Sequence, residues 1–181
     1  MKKLATVATL AILTASSVSA EGFYVGAGIS QERLTPVSAP VSYKSTNAIA
    51  LIGYDINDMI SVEAETSLPV SKDNINNIVS DITGEFSVYH RAVFAKFTLP
   101  TSGSFKPFAR AGMTKSTFKA EVGGDYDYKV NDTVFSYGIG AEWAMSEKFG
   151  LRVDYSRMEM VDDLGFSADG EVLALSSVYR F

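Results

Sequence analysis

Leu173-Ala-Leu-Ser-Ser-Val-Tyr-Arg-Phe181 is the stretch whose reading decides the fold. Leu173, Leu175, Tyr179 and Phe181 share one parity, interrupted by Ser177, while Ala174, Ser176, Val178 and Arg180 share the other. Alternate side chains of a strand point to opposite faces. This strand therefore has one apolar face ending in two aromatics and one face of small residues and a charge. The fold then depends on whether enough strands of the same design precede it to close a sheet on itself.

The chain has 181 residues, enough for one domain, and is 46% hydrophobic, 12% aromatic and only 20% charged. It contains no Cys, which excludes disulfides and thiolate metal sites. No internal run approaches the ~20 apolar residues that a spanning helix needs. Apolar residues diluted by alternation are instead what a membrane β-barrel carries. At the N-terminus, Lys2 and Lys3 precede an apolar core from Leu4 to Leu13, and Val18-Ser19-Ala20 completes a cleavable secretory signal. Cleavage is expected between Ala20 and Glu21, giving a signal peptide over 1–20 and one barrel domain over 21–181. The formal charge of −5 becomes −7 when Lys2 and Lys3 leave, so an acidic exported chain has no electrostatic case for nucleic acid.

Eight strands are expected in all. The first, 21–30, alternates Phe23, Val25, Ala27 and Ile29 with Tyr24, Gly26, Gly28 and Ser30. Inward glycines leave room for facing side chains in a narrow barrel. The segment Gln31–Ser45 is polar, holds Pro36 and Pro40, and reads as a loop. Strands follow over about 46–55, 59–67, 86–99, 106–118, 133–145 and 149–157, the cleanest alternation being Phe135, Tyr137, Ile139, Ala141 and Trp143 outward. Leu68–Glu85 reads as a loop with room for a short amphipathic turn at Ile75, Ile78, Val79 and Ile82, and Lys119–Asn131 as a loop that extends its hairpin. The connections alternate long and short, so an up-and-down meander puts every long loop on one side and every short turn on the other. An even strand number brings first and last strands together antiparallel and leaves no open edge. One echo supports the register: Tyr54–Glu65 lines up without gaps on Trp143–Asp154, each running outward aromatic, short turn, then inward charges two residues apart.

The inward parity collects Glu63, Glu65, Glu142 and Asp154 against Lys96, Arg110, Arg152 and Arg180. An eight-stranded barrel is only wide enough for side chains to fill it, and buried charges must be paired. The first expectation is a structural ion-pair network in the lumen. A polar seam around a narrow water path is the alternative. Outward, Phe23, Tyr54, Phe97, Trp143 and Tyr179 fall near the short-turn ends of their strands, as an aromatic girdle at a membrane interface would.

Phe23-Tyr-Val-Gly-Ala-Gly28, the Gly53-Tyr54 hairpin running into Val62-Glu-Ala-Glu65, Gly138-Ile-Gly-Ala-Glu-Trp143 running into Leu151-Arg-Val-Asp-Tyr155, and terminal Tyr179-Arg-Phe181 together resemble the small outer-membrane β-barrel family of the OmpX and OmpA-transmembrane-domain type. The resemblance covers essentially all of 21–181. It implies an eight-stranded antiparallel up-and-down transmembrane barrel in the outer membrane of a Gram-negative bacterium. It further implies export by a Sec-type signal, escort by periplasmic chaperones, and recognition of Leu175, Tyr179 and Phe181 by the barrel-assembly machinery, with Ser177 a departure from the usual apolar pattern. No peptidoglycan-binding domain is appended, so a wall-tethering role is not expected. The implied partners are outer-membrane lipid and lipopolysaccharide, with a host or surface ligand at the loops.

Function follows less directly, because fold does not determine it. A structural or surface-interaction role comes first, a narrow diffusion channel second, a lipid A-modifying enzyme third. His90 is the only His and so the only ordinary general base, but His90-Arg91-Ala92 lacks the His-x-Ser pair of the barrel deacylases, and Ser80-Asp81 has the wrong order for the palmitoyl transferases. His90 is expected near the outer rim, hydrogen-bonded or solvated. One His also excludes a multi-His zinc site, and no cofactor is expected. Glu159, Asp162, Asp163, Asp169 and Glu171 read as an acidic loop, solvated or holding a divalent cation against lipopolysaccharide phosphates. Arg91 and Arg157, outward near the outer rim, could meet lipid phosphates or simply snorkel. A soluble sandwich would place the outward aromatics against a second sheet.

Overall fold

The computed structural model describes residues 22–36, 42–71, 73–75, 84–122, 126–161 and 167–181. Its strands are β1 (Phe23–Pro36), β2 (Tyr43–Asp55), β3 (Ile60–Ser71), β4 (Asp73–Ile75), β5 (Gly84–Thr98), β6 (Phe105–Val122), β7 (Tyr126–Ala144), β8 (Phe149–Val161) and β9 (Ser167–Arg180). Short β4 only extends the pairing of β5 toward the loops. The other eight form one antiparallel sheet in which each strand pairs with its neighbour in sequence, β1 pairs with β9, and β3 pairs with β5. Among the described residues these eight strands close into a barrel, each paired on both sides. A two-sheet sandwich is thereby set aside.

Register gives the barrel its shape. Following direct partners from Phe23 leads through Tyr54, Val62, Ala95, Ala111, Tyr137, Arg157 and Glu171 back to β1 at Arg33, ten residues above the start. A shear of ten on eight strands tilts them by about 40° and leaves an interior that side chains fill.

The strands run further than their apolar alternation. Much of the expected loop Gln31–Ser45 is strand, since β1 continues to Pro36 and β2 begins at Tyr43. The β6–β7 hairpin extends to Val122 and Tyr126, and Glu159 pairs with Asp169 inside strands. Ile75 lies in β4, so it is extended and not part of a helical turn; Ile78, Val79 and Ile82 fall outside the described residues, as do the signal segment and its cleavage site.

The internal echo has a structural counterpart at the short turns. Ile56 N and Asn57 N both donate to Ile60 O, at 2.9 and 3.2 Å, and Met145 N and Ser146 N both donate to Phe149 O, at 2.9 and 3.0 Å. The side chains repeat the match. Asn57 Oδ1 accepts from Ile60 N at 2.8 Å, and Ser146 Oγ from Phe149 N at 3.0 Å. A short polar side chain that bonds its own backbone closes each turn.

Candidate functional site

The barrel interior is the candidate site, and it is layered. Nearest the short turns, Arg180 Nη1 and Nη2 donate to Glu142 Oε1 and Oε2 at 2.5 and 3.2 Å, and Arg180 Nε lies 3.4 Å from Asp55 Oδ2. One layer up, Arg152 donates through both terminal nitrogens to Glu63 at 2.6 and 3.0 Å. Lys96 Nζ lies 3.0 Å from Glu63 Oε1, and Tyr24 donates its hydroxyl to that oxygen at 2.6 Å. Arg152 Nε also reaches Asp154 Oδ2 at 3.1 Å. Above this, Arg110 donates to Glu65 Oε2 at 2.8 Å and to Ser156 Oγ at 3.0 Å. Its other terminal nitrogen is 2.5 Å from Asp154 Oδ1, an ion pair whose N–H direction misses hydrogen-bond alignment.

The two echo hairpins meet in these layers. Glu63 aligns with Arg152 in the echo, and these two residues pair across the lumen. Glu65 aligns with Asp154, and both engage Arg110. The side chains of Glu63 and Arg152 are both 0% exposed. Desolvating such charges costs several kcal/mol per ion, which only bidentate, fully bonded geometry offsets.

Glycines and aromatic rings build platforms for these cations. Tyr24 pairs across strands with Gly53, Phe108 with Gly140, and Phe94 with Gly112. A Cβ at Gly53 would strike the Tyr24 ring, and one at Gly140 would strike Phe108, so each ring lies across its glycine. Lys96 then sits 4.6 Å from the Tyr24 ring centre, Arg152 4.4 Å from Phe108 and Arg110 4.3 Å from Phe94, within cation–π range.

Toward the loops lies a cluster that the residue pattern did not announce. His90 is 2% exposed and inside the barrel. It is buried and hydrogen-bonded, not solvated. Nδ1 is 2.9 Å from Glu32 Oε1 and Nε2 is 3.0 Å from Glu65 Oε1, so a ring donating from both nitrogens satisfies both carboxylates. Asn47 Nδ2 donates to Glu32 at 2.5 Å and to Val88 O at 2.9 Å, and Ser67 Oγ donates to Glu32 at 3.0 Å. Glu32 and His90 thus add one more acid and one more base to the interior. Ser67, His90 and Glu65 are connected in the order of a nucleophile, base and acid. Ser67 is fully buried, however, and its Oγ already accepts from His90 N at 2.8 Å, which leaves a substrate carbonyl no approach. Beside this cluster Leu34, Val88, Val134, Met158, Ala168 and Val172 form an apolar core inside the barrel.

On the outside, the side chains of Phe23, Tyr54, Phe97, Trp143 and Tyr179 are all exposed at the short-turn end, joined by Phe105 and Phe149. Tyr179 packs edge-on to Phe181 at 5.2 Å, and Leu175 is 54% exposed. At the loop end the outward residues become charged: Arg33, Lys44, Arg91, Lys115 and Arg157 are all exposed. Glu171 belongs to β9, not to an acidic loop, and accepts from Tyr155 OH at 2.6 Å. Asp162 and Asp163 lie outside the described residues. Among the described residues no group of three or more carboxylates or His could hold a metal.

An apolar outer wall around a charged, filled interior defines the class: an eight-stranded transmembrane-type β-barrel. The chain belongs to the outer membrane protein beta-barrel domain family, whose sequence model matches residues 4–181. No curated protein matches it. Among solved structures it is similar to Neisserial surface protein A, with 18% identity, a TM-score of 0.70, and coverage of 89% of this chain and 98% of that one. It is also similar to Ail, the attachment invasion locus protein of Yersinia pestis, with 18% identity, a TM-score of 0.62, and coverage of 89% and 99%. Ail in complex with the heparin analogue sucrose octasulfate matches at 15% identity, a TM-score of 0.64, and coverage of 89% and 99%. At these identities the likeness is one of fold.

Proposed function

We propose that this protein is a non-conducting, non-catalytic outer-membrane barrel that presents its long loops for surface interaction. The observation that carries this reading is the bidentate Glu63–Arg152 pair, with both side chains 0% exposed in the middle of the lumen. A lumen closed by such bonds supports a wall and a display platform, and leaves recognition to the loops. In this reading the leader is removed between Ala20 and Glu21, and the chain is exported to the outer membrane of a Gram-negative cell. Leu175, Tyr179 and Phe181 face the assembly machinery, and the ring of Phe23, Tyr54, Phe97, Trp143 and Tyr179 marks the periplasmic interface. Ail has been solved with a heparin analogue, which suggests sulfated glycan as the first ligand to try on this chain.

The test is adhesion of cells displaying the protein to a sulfated-glycan surface. A variant with residues 37–41, 76–83 and 162–166 replaced by Gly/Ser should keep its heat-shifted gel mobility and lose adhesion. Equal adhesion by both would remove the loops from the account.

A further inference from the structure

We infer that β3 and β5 meet in a lateral seam of the barrel wall, and that Asn47, Ser67 and His90, held by Glu32, are the latch that keeps it shut. Among the described residues the ladder between these two strands is the shortest of the eight that close the barrel. It begins at the Ile60/Phe97 pair and stops at Thr66/Arg91. Pairing with β5 resumes only at Asp73/Phe86, on β4. Between these limits β3 stays paired with β2, and β5 with β6, so the wall parts in the middle. Pro69 lies in the gap with no N–H to give, and the register of β2 on β3 shifts at Thr46/Asn47. The closing pair β1–β9, by contrast, is laddered over the whole of Tyr24–Pro36. The strands β7 and β8 also part, above Ser136/Met158, but onto the apolar core of Val134 and Met158.

At the β3–β5 seam, polar side chains stand in for the missing rungs. His90 N donates to Ser67 Oγ at 2.8 Å, and Asn47 Nδ2 donates to Val88 O at 2.9 Å. A rung made by a side chain lasts only while its rotamer is held, whereas both ends of a ladder bond are backbone. Glu32 does the holding. Its Oε1 alone meets Asn47 Nδ2, Ser67 Oγ and His90 Nδ1. These three side chains come from β2, β3 and β5, and Glu32 from β1, so one carboxylate oxygen joins four strands. Glu65, itself bound to Arg110, takes the other nitrogen of the ring. With Asn47 and Ser67 both 0% exposed, the seam is shut. Ser30, the direct partner of Asn47, and Thr114, the direct partner of Ala92, flank it with buried hydroxyls that have no hydrogen-bond partner among the described residues. Water entering an unlatched seam therefore has polar groups to bind, while the ion-pair layers below stay closed. Arg91 of the last rung is exposed where the outer wall turns charged, so the seam opens toward water.

The test is hydrogen exchange at the amide of residue 90, read by NMR on the folded barrel in lipid nanodiscs. N47A and H90L each remove part of the latch, and N47A leaves every charge in place should H90L fail to fold. Each should speed exchange at residue 90 about tenfold, equivalent to 1.4 kcal/mol of opening free energy, with the β1–β9 amides unchanged. V178A, which opens a cavity in the lower cluster of Tyr24, Leu51 and Val178, is the control and should leave that amide slow. The chain has no Cys, so T66C/R91C places a single disulfide across the last rung. Added to N47A, it should return exchange to the wild-type rate. An unchanged amide in folded N47A, equal acceleration along β1–β9, an equal effect of V178A, or a disulfide that leaves exchange fast would each overturn the latch.

Discussion

Between the short turns and Arg110 the barrel interior is built around ion pairs and its outer wall is apolar; toward the loops an apolar core fills the interior beside the Glu32–His90 cluster and the outer wall turns charged. In β8, Leu151 and Val153 are exposed while Arg152 and Asp154 are buried, but further along Met158 is buried and Arg157 exposed. In β9, Leu175 and Leu173 face out while Val172 and Ala168 face in. In β1, Ile29 is 57% exposed and Leu34 only 6%. Backbone alternation holds along β1, β8 and β9. What changes is the surrounding solvent: apolar side chains turn outward into hydrocarbon and inward away from water. The lower half adds ion pairs and cation–π contacts to a small apolar cluster of Tyr24, Leu51 and Val178, and the upper half sets a larger apolar core beside the Glu32–His90 cluster.

Substitutions that violate each rule in its own half should separate the two regions. The largest effect is expected from R152E, which places a second carboxylate against buried Glu63. Breaking a buried pair costs ~3–5 kcal/mol, and like charges add to that. The heat-shifted folded band should vanish, and E63R/R152E should recover part of it. If R152E folds as well as wild type, the ion-pair core is not what holds the lower half. Next comes the lipid face. I139R, at a residue 67% exposed in the apolar band, should lower stability in bilayers by about 2–4 kcal/mol, whereas K115A at the charged rim should change it by less than ~0.5 kcal/mol. Similar losses in denaturant titrations would erase the boundary between halves. In the upper core, M158A should cost about 2 kcal/mol from lost packing and a residual cavity, without loss of membrane insertion.

The reversal also explains what the sequence made legible. Strand number, short turns and the inward parity of Glu63, Glu65, Lys96, Arg110, Glu142, Arg152, Asp154 and Arg180 all lie where one solvent acts on a whole strand. Glu32, Asn47, Ser67 and His90 were harder to place. Gln31–Ser45 crosses the boundary, and Leu34 inside with Arg33 and Lys44 outside cancels the apolar period, so the stretch reads as a polar loop. His90 alone carries no spacing signal, and its partners Glu32 and Glu65 come from β1 and β3, which only the barrel register brings together. The ring-on-glycine pairs Tyr24–Gly53 and Phe108–Gly140 were visible as inward residues of the right kind, but not as partners, because a cross-strand pair depends on register.

The central claim is that the lumen is closed by its own side chains. Planar-bilayer recording of wild-type protein, from a preparation whose gel shift shows it folded, tests this most directly. No steady unitary current is predicted at any holding potential that the bilayer survives. Discrete, long-lived channel openings that scale with the amount of folded barrel would contradict the account.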